Sequence, residues 1–589
     1  MDSQKRENLL NLSLDATQEQ REKSMELGVG VNEAASEWEV IVRYSGDLSQ
    51  YEELGINQVE LLGGYAILTV SKEQLDLLSK IPEIAYIEKP KRLFFEVDIG
   101  KRVSCITPLQ ASGVPSGDNI HLFGKGCLVA ILDSGIDYFH PDFRNEDGTS
   151  RILRIWDQTL NPTGIGMPPK GYRIGVEFTR EQINEALQSS GRAKGMELVP
   201  VSDESGHGTA VTGIAAGNGR ASGGRYRGVA PESTLVIVKL GRARDKGFPR
   251  TTELMQAADY VVKLAAEWNM PLAVNISIGN TYGSHDGTAL LESYLNTASD
   301  MGRNVIVTGT GNEGAAQGHT SGKVQTGQNH LVEFTVGVYE SKLNIQFWKY
   351  YVDEILLELV SPSGERVGPF EQRLGTQRFR IGNTQFLLYY GEPAPYTRAQ
   401  EIYLDMIPIE GASYINSGVY GIRLLAGRVV EGEYHFWMPS SGALNRGTGF
   451  TLPTPDITLT IPSTAAKLIS VGAYDAGLNS FSNFSGRGYT RVVPMVKPEI
   501  VAPGSGVMAP APFGGYAART GTSFAAPFVT GAAALLMEYG IINGRDPYLY
   551  GEKVKAFLIR GAKKLPGFDE YPNPLTGYGA LCVQDSIPT

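Results

Sequence analysis

Apolar and polar residues alternate near the start of this chain and then run together further on, and each regime predicts a different kind of element. Trp38-Glu39-Val40-Ile41-Val42-Arg43-Tyr44 predicts a strand, Val59 to Val70 a second region of strand, and Ile84-Ala85-Tyr86-Ile87-Glu88 a closing one. Between them, Ser71-Lys72-Glu73-Gln74-Leu75-Asp76-Leu77-Leu78 predicts a helix opened by a capping serine. Residues 1 to about 36 are polar and charged with one amphipathic stretch, Glu7 to Leu14, expected as a helix or a disordered arm. The whole reads as a small α+β domain.

After an extended stretch from Lys89 to about Ser104 the pattern changes. Gly126 to Asp133 is almost continuously apolar, as expected of a strand covered on both faces of a parallel sheet. Similar runs recur at Leu235 to Val238, Ala273 to Ile278, Asn304 to Val307 and Leu468 to Val471, with helices such as Glu253 to Trp268 between them. This predicts an α/β core. It is interrupted past Asn312 by short runs at Leu331 to Val338, Asn344 to Trp348, Glu354 to Val360, Arg378 to Ile381, Thr384 to Tyr390, Ala399 to Ile407, Gly418 to Leu425 and Gly432 to Trp437, with turns such as Ser361-Pro362-Ser363-Gly364. Short, closely spaced strands predict an antiparallel sandwich or jelly roll inserted in a surface loop. The α/β signal returns near Ile457. The expected division is 1–99, 100–316, 317–455 for the insert, and 456–589.

Composition narrows the class. The 589 residues, 42% hydrophobic and 20% charged, are those of a globular protein too long for one core, and 70 glycines with 32 prolines imply many turns. Net charge is −10 without a long basic block, which argues against a nucleic-acid partner. Cys105, Cys127 and Cys582 leave at least one thiol unpaired and lack metal-ligand spacing, so no disulfide framework is expected. The amino terminus lacks the apolar segment of a secretory signal, and no uncharged apolar run reaches the ~18 residues of a membrane span. Synthesis and retention in a soluble compartment are expected.

The chemistry concentrates in four places. Arg519-Thr520-Gly521-Thr522-Ser523-Phe524-Ala525-Ala526-Pro527 sets a serine where a loop enters an apolar helix, among free N–H groups that suit an oxyanion; a capping serine is the plainer reading of that stretch alone. Asp133 ends its strand in Asp133-Ser134-Gly135-Ile136-Asp137, which alone is also an ordinary turn. His207 lies between glycines in Ser205-Gly206-His207-Gly208-Thr209, and a lone histidine has most often no chemical role. Thr310-Gly311-Asn312-Glu313-Gly314 follows another strand.

Together these blocks, in the order Asp, His, Ser, resemble the subtilisin-like serine proteases, the subtilases. The resemblance implies that Ser523 attacks the peptide carbonyl, that His207 takes and returns its proton, that Asp133 holds the imidazole, and that Asn312 donates to the oxyanion. It implies too that residues 1–99 include an inhibitory propeptide, with a generic ferredoxin-like regulatory domain as the alternative. Lys239-Leu240-Gly241 and Ser277-Ile278-Gly279 resemble the segments that flank a bound peptide as an added strand, although either can be simply a strand end in the core. Asp142 matches a calcium ligand of some relatives, but the loop between Ala216 and Gly228 departs from that pattern, so a solvated carboxylate, no metal and no cofactor are expected.

Within the family, the missing signal peptide, the polar arm, Lys89-Pro90-Lys91-Arg92 and the large insert resemble the Csp germination proteases of clostridia. That likeness implies an endopeptidase that cleaves its own propeptide, keeps it bound as an inhibitor, cuts a precursor of a spore-cortex hydrolase, and is packaged in the spore; the extended stretch after Arg92 is where a strand leaving the small domain reaches an active-site cleft, so the cut is expected near Ile99-Gly100. The competing expectation is a catalytically silent pseudoprotease that binds a partner through the β insert. A bracing role for the insert is a further one.

Overall fold

The computed structural model describes the chain apart from residues 1–4, 24–26, 29, 33–35, 47–56, 62–63, 91–95, 111–119, 163, 165, 242–248, 374, 396, 493 and 589. The chain divides into two compact units, Met1–Phe95 and Glu96–Thr589.

In the first unit four antiparallel strands lie in the order Asn57–Leu61, Tyr65–Val70, Trp38–Tyr44, Ile84–Glu88. Alternation along Trp38–Tyr44 puts Trp38, Val40 and Val42 on one face, where they meet Ala66, Leu68 and Val70 and the helix side chains Leu75 and Leu78. Ser71 and Gln74 close a capping box at the start of that helix. Leu10 and Leu14, on helix Asn8–Asp15, complete the cluster.

The second unit is built on a nine-stranded sheet in the order Ser480–Phe481, Ile469–Asp475, Asn304–Gly309, Leu272–Ile276, Leu128–Asp133, Thr234–Lys239, Ile152–Asp157, Val176–Thr179, with Ile500–Pro503 beside Ile469–Asp475. Leu128–Asp133 is buried along its length and parallel to both neighbours, which is why it reads as an unbroken apolar run up to its terminal acid. From it the chain builds outward to Ile152–Asp157 and Thr234–Lys239, then crosses to Leu272–Ile276 on the other side. Asp133 therefore lies where strand order reverses, beyond the carboxyl ends of the strands, where sites form in open α/β sheets. Helices His207–Ala216 and Thr522–Met537 pack in the core on one face, and Thr251–Glu267 and Leu290–Ser299 on the other.

The insert is an antiparallel sandwich. Six strands, His319–Lys323, Glu433–Trp437, Leu343–Tyr350, Ala399–Pro408, Thr384–Tyr390 and Gln377–Ile381, face five, Arg366–Val367, Ile355–Val360, Gly418–Ala426, Asn329–Val336 and Gly449–Phe450. Phe347, Phe386 and Phe436 from the first sheet share one core with Phe334, Leu357 and Tyr420 from the second. A core loop anchors it: the Thr281 hydroxyl donates to Met438 O at 2.7 Å, the Gly283 N–H to Gln346 Oε1 at 3.0 Å, and His285 stacks on Trp437 with ring centroids 4.2 Å apart.

Three expectations change. The stretch read as extended contains helix Glu96–Val103, and the Ile99–Gly100 bond lies inside it. Gly100 is buried against Phe528, so in this conformation that bond is out of reach of a cleft that takes extended chain. Cys105 and Cys582 form a disulfide across 477 positions, and Cys127 is the buried free thiol. Asp142 is fully buried rather than solvated. Thr522–Ile542, 21 residues, is long and apolar enough to cross a membrane by length and composition, but 89% of its 18-residue apolar window is buried inside the protein, as in a core helix.

Candidate active site

Asp133 is 1% exposed, and its Oδ1 accepts two hydrogen bonds at 2.7 Å, from the Ser134 N–H and from His207 Nδ1. The second contact fixes the proton on Nδ1 and leaves Nε2 as an acceptor. His207 is the first residue of its helix, after Gly206 at φ 70°. Gly208 passes so close to Gly135 that an added Cβ would sit 2.2 Å from its carbonyl oxygen. Gly206 has no side chain to cap the helix, and Asp203 does so instead. Its Oδ1 accepts from Ser134 Oγ, Ser205 Oγ and the Gly206 N–H, and its Oδ2 from the Thr209 N–H and hydroxyl. Burial draws the His207 imidazole down, but the charge and hydrogen bond of Asp133 outweigh it and hold the group above its ordinary value.

Ser523 is the second residue of helix Thr522–Met537, entered through Gly521 at φ 148°. Pro527 has no N–H to give to the Ser523 carbonyl four residues back. That carbonyl accepts the Ser277 hydroxyl instead, at 3.0 Å, while Ser523 Oγ donates to the Ser277 carbonyl at 3.1 Å. Asn275 Nδ2 donates to Ser277 Oγ at 2.7 Å, and Asn275 Oδ1 accepts the Thr530 hydroxyl at 2.9 Å, so strand and helix are joined by one buried polar chain. The Phe524 ring lies 5.2 Å from the His207 imidazole, which brings the histidine beside the start of the serine helix. Asn312 is fixed through Oδ1, which accepts the Thr522 N–H at 3.0 Å and the Thr522 hydroxyl at 3.3 Å, leaving its Nδ2 donor for a ligand.

A cavity of about 340 Å³ opens beside Ser523 and Asn312. Ser277, Ile278 and Gly279 line it. Lys239, Leu240 and Gly241 are elsewhere. Lys239 Nζ donates to Ser202 O, Leu240 packs in the core, and the Gly241 N–H donates to Gln158 Oε1. Residues 242–248, which continue that segment, lie outside the described residues. At Asp142 the carboxylate accepts the Ala221 N–H at 2.9 Å and the Tyr516 hydroxyl at 2.8 Å, taking up the groups a calcium ion would need. Among the described residues no group of three His, Cys, Asp or Glu side chains could hold a metal.

The subtilase family profile matches residues 124–385 and 453–579, a span that contains Asp133, His207, Asn312 and Ser523. The chain belongs to the subtilase family. The break in the match, 386–452, falls within the sandwich. The profile of the Csp protease B prodomain matches residues 4–91 of this subtilase. The solved structure of the CspB protease of Clostridium perfringens is 35% identical to it, covering 83% of this chain and 96% of that one with a TM-score of 0.74. Minor extracellular protease Vpr of Bacillus subtilis (strain 168) is 24% identical over 493 residues, 79% of this chain and 52% of Vpr. M-protease of Shouchella clausii (strain KSM-K16) is 28% identical over 306 residues, 51% of this chain and 63% of M-protease. The chain thus spans between half and two thirds of the length of these two relatives.

Sequence reasoning missed Asp203, Thr522 and Asn275, which position the reactive groups. For Asp203 a signal exists: it opens Asp203-Glu204-Ser205-Gly206, a capping run ahead of a helix.

Proposed function

We propose that this subtilase is a serine endopeptidase that first cuts the link to its N-terminal unit and then cleaves a protein substrate. The observation that carries the reading is the 2.7 Å contact from buried Asp133 to His207 Nδ1, which readies Nε2 as a base beside a serine at a helix start. For the reaction the Ser523 hydroxyl must leave the Ser277 carbonyl and donate to Nε2. Its oxygen then attacks the peptide carbonyl, and His207 hands the proton to the leaving amine. The Asn312 Nδ2 and the Ser523 N–H, at the positive end of its helix, stabilise the oxyanion.

The match of residues 4–91 to a prodomain supports a propeptide that stays bound as an inhibitor after self-cleavage ahead of Glu96. The likeness to CspB supports a precursor of a spore-cortex hydrolase as the substrate and the spore as the place of action. Labelling with a serine-directed fluorophosphonate tests the chemistry. Prompt reaction at Ser523, abolished in His207→Ala, is expected, whereas a silent partner-binding protein would not react. Intact-mass measurement tests self-processing: the wild type should split and Ser523→Ala should not, and a wild type that stays whole defeats it.

A further inference from the structure

The sequence carries no long basic block, yet folding brings five cations, Lys125, Arg151, Arg180, Arg220 and Arg227, to the walls of one cavity of about 590 Å³. They arrive from separate segments. Lys125 precedes strand Leu128–Asp133, and Arg151 precedes Ile152–Asp157. Arg180 opens helix Arg180–Gln188, Arg220 opens a 3₁₀ turn, Arg220–Ser222, and Arg227 lies in the loop that leads to Thr234–Lys239. The cavity thus lies across the amino ends of three neighbouring parallel strands. Asp133 is at the other end of the same sheet, about 17 Å along a strand that rises roughly 3.3 Å per residue. Glu146 and Glu232 also line the cavity, which leaves a surplus of three positive charges in a chain whose net charge is −10.

The contacts of these cations show that the surplus is not cancelled. Arg151, 6% exposed, donates from Nη1 to Ala216 O at 2.6 Å and to Asp142 O at 3.2 Å, and from Nη2 to Ser233 O at 2.8 Å. Arg180 donates to Ile152 O at 3.4 Å and to Arg151 O at 3.5 Å. Arg220 donates to the carbonyls of Asn145 and Glu146. Arg227 lies over the Phe123 ring, 5.6 Å from its centroid, and its buried Nε has no hydrogen-bond partner among the described residues. All these partners are neutral, and among the described residues none of the five cations forms an ion pair. A carbonyl fixes the direction of a guanidinium without cancelling its charge. Burial draws Arg151 down to about 10, against the opposing charges of Asp142 and Glu232, and it remains a cation at neutral pH. Cations held in this way around a hollow repel one another, and an anion among them removes the repulsion.

The chemistry of the walls selects the anion. A monoanion leaves most of the surplus in place, so more than one negative charge is required. Guanidinium forks match the oxygens of carboxylate and phosphate groups. Phe123 and Pro231 are the apolar side chains among the lining residues, so a large apolar body finds little to rest on. The volume suits a compact molecule.

We infer that this cavity binds a small polyanion carrying two or more carboxylate or phosphoryl groups. Such a ligand joins the starts of three strands and stabilises the core from the pole opposite Ser523. The assignment does not rest on the endopeptidase reading and holds whether or not Ser523 reacts.

Isothermal titration calorimetry of the whole chain tests it, in metal-free buffer at low and matched ionic strength, with citrate, pyrophosphate and acetate as probes and the unfolding midpoint followed in parallel. Saturable binding of citrate, pyrophosphate or both is expected, with a rise in midpoint that follows occupancy, and acetate should not saturate. Citrate alone marks a polycarboxylate site, pyrophosphate alone a phosphoryl site. Lys125 and Arg220 are exposed, so neutralising them spares the core. The double variant Lys125→Gln/Arg220→Gln should weaken binding about tenfold or more, and Arg180→Gln, made separately, about threefold or more. Arg428→Gln, at an exposed arginine of the sandwich, should leave affinity unchanged. Failure of both polyanions to saturate, acetate binding as tightly as they do, or an affinity that neither the double variant nor Arg180→Gln moves overturns the assignment.

Discussion

The subtilase core and the sandwich inserted in it fill their interiors with different chemistry. Around the active site the core buries groups that hydrogen-bond: Asp203 accepts five donors, and Asn275 joins Ser277 to Thr530. The sandwich is filled by rings, with Phe347 4.5 Å from Phe436, Phe379 4.8 Å from Phe386 and Phe334 5.4 Å from Tyr420. A polar network is satisfied in one arrangement only, so it holds reactive groups in place. An apolar interior tolerates repacking and supplies mainly stability. Substitutions near Asp133 and Ser523 should therefore change rate at constant stability, and those in the sandwich stability at constant rate.

The largest effect should come from Asp133→Asn, which keeps the shape but loses the charge that fixes the His207 tautomer. A fall of about 10⁴-fold in kcat is expected, with the unfolding midpoint little changed. Phe386→Ala, deep in the sandwich, should do the reverse: a loss of about 3–5 kcal/mol in unfolding free energy with fluorophosphonate labelling at its wild-type rate in native conditions. Slowed labelling in that variant would erase the contrast. Asn312→Ala removes one donor and should cost about 10²–10³-fold in kcat, the size known for the oxyanion-hole asparagine of subtilisin, with KM nearly constant. A comparable rise in KM would move Asn312 from the transition state to ground-state binding.

The same contrast explains what could be read in advance. Asp133, His207, Asn312 and Ser523 were legible because each lies in a short motif whose glycines have local backbone reasons, Gly521 at a helix entry and Gly208 against Gly135. Trp38–Tyr44 is legible from its alternation and Leu128–Asp133 from its apolar run, whereas Ile152–Asp157 and Val176–Thr179, in the same sheet as Leu128–Asp133, carry no pattern that the sequence reading picks up. Asp203 and Thr522 were not legible, because a capping or bridging side chain acts through partners that local spacing does not name. Asp142 reads as solvated from the sequence because Tyr516, which covers it, is 374 positions away, and Cys105 and Cys582 have no local signal that could pair them. Helix Glu96–Val103 interleaves charged and apolar residues too briefly for its period to show.

The smallest predicted effect separates the two regions by pH. Where sandwich meets core, burial pushes His285 down to about 4 despite carbonyl contacts at both ring nitrogens, and holds His319 and His435 below the ordinary range. Glu433, 2.7 Å from His435 Nε2, opposes the shift there, and Arg491 adds to it. An unfolded imidazole near 6.5 takes up a proton before such a folded one does. The stability these groups contribute is thus present above about pH 6.5 and is lost as pH falls toward 4, at up to about 1.4 kcal/mol per pH unit for each. His207 runs the other way, because its folded value is raised: its contribution is present below about pH 6.5 and lost as pH rises through the folded value. As a base it works only when neutral, so the acid limb of the labelling rate should lie above pH 6.5. His285→Asn, which suits the positive φ of 51° at that position, should flatten the fall in unfolding midpoint between pH 7 and 5 and leave that limb where it is. If the substitution moved the limb as well, the junction and the active site would be one titrating unit, and the division between a reactive core and a stabilising insert would fail.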